Sequence, residues 1–183
     1  MSRSYIARFI SPDQLVVIRR NLKQRLEKVI NDAVPNVDII VRDLVPADFS
    51  GTATQGQFVN QVLGVANTYV QGLDANPTLA QNEAWAIYGV TDLAAVPTLM
   101  EIRFLLGTSA TMEQIRLDSA YASGINTVFF DPAVLYKPLD VFNPQFLFSG
   151  ATAADSEAIS FIGLVAEPAG ITVSQPSDHV VNF

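Results

Sequence analysis

Apolar and polar residues alternate along the second half of this chain with the period of a sheet. Ile102, Phe104 and Leu106 alternate with Glu101, Arg103 and Leu105, and Ile115, Leu117, Ser119 and Tyr121 alternate with Gln114, Arg116, Asp118 and Ala120. A two-residue period sends successive side chains to opposite faces of a sheet. Such segments recur between residues 96 and 168, cut by Gly, Pro, Asn, Asp and Ser, and predict strands near 98–106, 112–121, 127–130, 133–142, 145–149 and 157–166. Pro132, Pro138 and Pro144 mark these as short or edge strands, because proline cannot donate to a ladder. Upstream, Val37, Ile39 and Val41 alternate with Asp38, Ile40 and Arg42 in a strand over 37–45 that Pro46 closes, followed by a loop over 46–56. Trp85, Ile87, Tyr88 and Val90 favour a strand over 83–90. Residues 150–156 read as a polar turn, and 167–183 as an irregular tail with one short strand at 171–174.

The period changes to that of a helix in two places. Over 11–32, Leu15, Ile18, Leu22, Leu26 and Val29 recur at steps of three and four and form one apolar stripe. Ser11 can cap this helix, Pro12 suits its first position and Gln14 completes a capping box. Arg20, Lys23, Arg25 and Lys28 flank or oppose the stripe. Over 57–72, Phe58, Val59, Val62, Leu63, Val65, Ala66, Tyr69 and Val70 fall on one arc at 100° per residue, which predicts a second helix with an uncharged polar face. Gly64 inside it costs about 1 kcal/mol against Ala. The fold class expected is therefore mainly β: an antiparallel β-sandwich, jelly-roll-like, with two helices in the N-terminal half. The organisation expected is a basic helical segment, 1–36, followed by a β-sandwich domain, 37–183, with the inserted helix near 57–72.

Composition sharpens this picture in two ways. Hydrophobic residues make up 49% of the 183, enough for a substantial core, whereas charged residues make up only 16%. A surface short of charge suits either a chain that covers much of itself with neighbours or simply a β-domain rich in Thr, Ser, Asn and Gln. The net charge of −7 is also unevenly placed. Residues 1–42 hold eight basic against four acidic side chains, a net of +4, and residues 43–183 hold three against fourteen, a net of −11. The acidic total argues against direct nucleic-acid binding. No apolar run approaches the ~18 residues of a membrane span, and the first ten residues do not read as a signal peptide.

Candidate chemistry is sparse. With no cysteine there is no disulfide, thiolate metal site or cysteine nucleophile. The single histidine, His179, stands beside Asp178 in the tail, a poor setting for a catalytic base. There is no nucleophile elbow and no phosphate-binding loop. The carboxylate pairs Asp155 with Glu157 and Glu113 with Asp118 are thin material for calcium or a glycosidase. Phe129, Phe130, Tyr136, Phe142, Phe146, Phe148 and Phe161 read as core rather than as a sugar-stacking platform. The expectation is a non-enzyme with no cofactor and no metal. The basic amphipathic helix has two readings, an anchor onto a partner or an ordinary layer of its own domain. On the first, Leu15, Ile18, Arg20, Leu22, Lys23, Arg25 and Leu26 form the partner interface.

Residues 84–170 carry a resemblance. Tyr88-Gly89-Val90, Ile102-Arg103-Phe104 before Gly107, Phe130-Asp131-Pro132 and the closing Gly163-Leu164-Val165-Ala166-Glu167-Pro168 resemble the capsid-associated structural proteins, cement or decoration proteins, of tailed bacteriophages. The resemblance implies a β-sandwich or jelly roll that bridges major capsid protein subunits, as a trimer or dimer, within the virion and in the host cytoplasm during assembly. It supplies no catalytic residues. The alternatives are a portal, neck or tail component of the virion, or a carbohydrate- or receptor-binding β-sandwich module, since this fold hosts many functions.

Overall fold

The computed structural model describes residues 4–6, 10–49, 59–61, 67–71, 73, 76–93, 98–107, 110–121, 124–150 and 157–169. In chain order the elements are β1 (Ser4–Ile6), α1 (Pro12–Ala33), β2 (Ile39–Asp43), a 3-10 turn (Pro46–Phe49), β3 (Val59–Gln61), β4 (Tyr69–Gln71), β5 (Ala84–Asp92), β6 (Leu99–Leu106), β7 (Ala110–Arg116), the single turn α2 (Asp118–Tyr121), β8 (Thr127–Tyr136), β9 (Phe142–Phe148) and β10 (Glu157–Pro168). Among the described residues the fold is mainly β and sandwich-like, with one long helix. One sheet runs β1-β7-β6-β9-β4 and the other β2-β10-β5-β8, with β3 also pairing β10. Among the described residues, all pairings are antiparallel except β1 with β7.

Each of the last eight strands pairs with its counterpart counted from the other end. β3 pairs β10, β4 pairs β9, β5 pairs β8 and β6 pairs β7. The chain thus runs out and back as one long ribbon. The ribbon wraps over itself because β10 also pairs β5 and β9 also pairs β6.

The alternation read in the sequence now has an address. Trp85, Ile87, Val90, Phe161 and Val165 of one sheet meet Ile102, Phe104, Phe146 and Phe148 of the other in a shared core. Phe161 stands 5.9 Å from Phe104 and 6.2 Å from Phe146 between ring centroids, and 5.4 Å from Phe142. Phe49, delivered by the 3-10 turn, closes the core against Trp85 and Phe142. Burying each such ring stabilises by roughly 1.5–3 kcal/mol.

A second core lies outside the first. α1 lays Leu22, Leu26 and Ile30 on a floor made by Ala84, Ala86, Tyr88, Ala133, Leu164 and Ala166. Alanine there lets a helix approach a sheet closely without a ridge in between. The helix begins as its sequence dictates: Ser11 Oγ accepts from Gln14 N at 3.3 Å, and Gln14 Oε1 accepts from Ser11 N at 2.9 Å. Gly163 is required by close approach, since a Cβ there would stand 2.7 Å from Ala86 O.

Three expectations are corrected. No helix fills 57–72: Val59–Gln61 pairs with β10 and Tyr69–Gln71 with β9, residues 57, 58, 62–66 and 72 lying outside the described residues. β10 and β9 offer these segments open ladder edges, and Val, Tyr and Gln at alternate positions satisfy a sheet as readily as a helical arc. The strand expected over 112–121 ends at Arg116, and Asp118–Tyr121 turns as α2. The strands expected at 127–130 and 133–142 are one strand, Thr127–Tyr136, that passes through a cis Asp131–Pro132 bond, and the chain turns before β9 begins at Phe142. Pro144 is accommodated inside β9 because it lies past the end of β4, whose last partner is Gln145, so its missing N–H costs no ladder bond there. The strand expected at 171–174 and the turn at 151–156 lie outside the described residues.

Candidate functional site

The helix carries the residues marked out by the sequence. Leu22 and Leu26 are buried, and Leu15, Ile18 and Val29 pack partly against the same alanine floor. The apolar stripe thus faces the chain's own sheet. Arg20, Lys23 and Arg25 point to solvent. Arg19 instead reaches inward along the sheet, donating to Asp43 Oδ1 at 2.7 Å and to the Tyr88 hydroxyl at 3.1 Å. Burial pushes the Tyr88 hydroxyl above its ordinary range, against the pull of the Arg19 charge.

A buried ion triad fixes the neighbouring edge. Arg42 on β2 donates from Nε to Glu167 Oε1 at 2.9 Å and holds both oxygens of Asp48, each at 2.8 Å. Asp48 also accepts from Val45 N at 2.8 Å, which closes the 3-10 turn and seats Phe49. Desolvation opposes the Arg42 charge, but its hydrogen bonds to Asp48 and Glu167 outweigh that and hold the guanidinium proton more tightly than usual. The triad joins β2, β10 and the turn, and its part is structural.

The outer face of the β4-β9-β6-β7 sheet is of another kind. Cross-strand register places Tyr69, Leu147, Glu101 and Arg116 in one row, and Gln71, Gln145, Arg103 and Gln114 in the next. The Glu101 carboxylate, only 7% exposed, accepts from the Tyr69 hydroxyl and from Gln114 Nε2. Gln114 Nε2 also donates to the Tyr69 hydroxyl at 3.2 Å. The Arg103 guanidinium lies 3.8 Å over the Tyr69 ring and donates to Gln145 Oε1, from Nε at 2.7 Å. The result is a braced arrangement of tyrosine, arginine, glutamine and glutamate side chains, with Leu147 beside them and no lysine among these eight. A cation over an aromatic ring and a carboxylate with two donors are both favourable and both fix rotamers.

Sequence reasoning marked the charged side of α1 but not this face. Its signal was present: Glu101 and Arg103 alternate with Ile102 and Phe104, so they had to share a face opposite the core. What could not be read was that Tyr69, Gln114 and Gln145 would come from three other strands to meet them. Of the carboxylates Glu113 and Asp118, Glu113 lies opposite Phe104 in the β6–β7 ladder, and Asp118 opens α2 and accepts from Arg116 at 2.8 Å. Asp155, Asp178 and His179 lie outside the described residues. Among the described residues no three His, Cys, Asp or Glu side chains come together in a way that could hold a metal ion, and no helix is long and apolar enough to cross a membrane. The chain matches no protein-family model, no curated protein and no solved structure.

Proposed function

We propose that this chain is a jelly-roll structural protein of a tailed-phage virion. It acts without catalysis, cementing or decorating the capsid by bridging neighbouring major capsid protein subunits. The nested pairing of β3 with β10, β4 with β9, β5 with β8 and β6 with β7 supports the jelly-roll reading, an architecture common in capsid and lectin domains. The observation that carries the functional reading is the braced polar face of the β4-β9-β6-β7 sheet. Interfaces are enriched in tyrosine and arginine and depleted in lysine and glutamate; this face carries Tyr69, Arg103 and Arg116 without lysine, and its one glutamate, Glu101, is already bonded within the face. Docking pre-ordered side chains loses less entropy than docking free ones. The contact with the shell is assigned to this face, and the apolar stripe of α1 serves the chain's own fold.

The carbohydrate-binding alternative is disfavoured by the same geometry. A sugar platform needs an open aromatic ring, and the Tyr69 ring is covered on one side by Arg103. A position at the portal, neck or tail is distinguished by location alone. The test is electron microscopy of particles that carry this chain. The expected density sits at regular positions over junctions between capsid subunits, with the β4-β9-β6-β7 face inward. Absence from the shell, or density confined to one vertex or the tail, would overturn the proposal.

A further inference from the structure

A groove runs along α1 where the helix overhangs β8, the edge strand of its sheet. It has two lobes of about 480 Å³ and about 520 Å³ that share Ile18, Asn21 and Asp131. The N-terminal lobe adds Asp13 and Val17, and the C-terminal lobe adds Arg25 and Lys28. Val17 and the adjoining Val16 are 57% and 66% exposed, the two most exposed large apolar side chains on the helix. The four charges are exposed, and none of them makes an ion pair with another described residue. The groove is therefore neutral overall, polarised along its length and apolar near one end.

We propose that this groove is a two-fold interface between two copies of the chain. A groove lined by Asp13 in one lobe, by Arg25 and Lys28 in the other and by Asp131 between them is complementary to itself when turned end for end. In an antiparallel arrangement centred near Asn21, Asp13 of one copy approaches Lys28 of the second copy, and Asp131 approaches its Arg25. Val16 and Val17 come to rest on the aliphatic stems of Gln24 and Arg25. Every contact occurs twice, as a closed two-fold interface requires. Asp13 to Lys28 is fifteen residues of helix, about 22 Å, long enough for several side chains from each copy to interdigitate. The β4-β9-β6-β7 face is on the far side of the other sheet and stays free, so the inference stands apart from the capsid reading.

The experiment uses the full chain alone, without capsids, and measures mass by sedimentation equilibrium. The wild-type chain is expected to be a dimer at micromolar concentration and to weaken as salt rises, because exposed ion pairs are screened. Asp13→Lys with Asp131→Lys makes the groove wholly basic, and Arg25→Glu with Lys28→Glu makes it wholly acidic. Each double variant should keep its circular-dichroism spectrum, since all four residues are exposed, and should dimerise at least about tenfold more weakly. Mixed in equal amounts, the two should form a one-to-one heterodimer. A wild-type chain that stays monomeric to about 100 μM, well above a micromolar Kd, or that forms open chains or trimers, overturns the proposal. So does a double variant that dimerises like wild type, or a mixture that stays monomeric.

Discussion

The two sheets of this protein share one core but present unlike outer faces. The outside of β10-β5-β8 is small and apolar, with Ala84, Ala86, Ala133 and Ala166 at its centre, and the chain covers it with its own helix. The outside of β4-β9-β6-β7 is polar, and its side chains bind one another across four strands. An alanine floor has little to offer water and gains stability only when something lies on it. A floor of Tyr, Gln, Arg and Glu can remain wet, and its internal bonds keep it ordered while it does. The comparison teaches where to look for the proposed shell contact: the face that the chain has already covered supports the fold, and the braced face is uncovered by any described element.

Removing the cover should have the largest effect. Deleting residues 1–36 strips Leu22, Leu26 and Ile30 from the alanine floor, and the remaining chain is expected to lose its cooperative thermal transition and to aggregate. Leu26→Ala, a milder version at a site 1% exposed, should cost about 2–5 kcal/mol in urea unfolding. A truncated chain that melts as sharply as wild type would return α1 to the role of a detachable anchor.

Next in size is the edge of the same sheet. Arg42→Ala leaves Asp48 and Glu167 buried beside each other without their cation, and should cost about 3–5 kcal/mol. Gly163→Ala drives a methyl group against the Ala86 carbonyl and should cost about 1–3 kcal/mol, because neither strand can shift without disturbing α1. The opposite face should behave differently. Arg103→Gln removes a partly exposed cation over Tyr69 and should change stability by no more than about 1 kcal/mol, while reducing attachment to shells. Loss of folding in Arg103→Gln would erase the contrast between the two faces.

The smallest effect is in pH. Tyr88 under α1 holds its proton more tightly in the folded chain than the ordinary tyrosine value of 10.0, chiefly through burial. The stability this contributes is complete below 10.0 and is lost as pH rises from there through the higher folded value. Wild-type stability should therefore fall on the alkaline side of pH 10.0, and Tyr88→Phe should flatten part of that fall in melting curves taken against pH. Tyr136, raised in the same direction by deeper burial, should account for more of the remainder.

Much of this was legible from residue pattern. Ser11, Pro12 and Gln14 placed the start of α1, and the alternation through Ile102 and Phe104 placed the inner face of β6. Both are local signals, carried by residues three or fewer apart. The segment over 57–72 was misread for the same reason. Its apolar residues suit a helical arc, but the ladder edges of β9 and β10 that claim Tyr69–Gln71 and Val59–Gln61 lie 74 to 100 residues away in sequence. The Phe130-Asp131-Pro132 stretch drew notice as a motif, yet nothing in it tells that Asp131 would stand in a groove beneath α1. The braced face has the same origin: four strands each contribute one or two polar residues that look like ordinary solvent positions alone.

The claim that the shell contacts the β4-β9-β6-β7 face can be tested directly, because the chain has no cysteine and accepts a single reporter thiol. Gln71→Cys places one on that face and Asn31→Cys places one at the exposed end of α1. Both thiols should react readily with a soluble maleimide in the free protein. On assembled particles, the thiol at position 71 is predicted to be protected while that at position 31 reacts as before. Protection at 31 with full reactivity at 71 would contradict the account and place the contact on the helix.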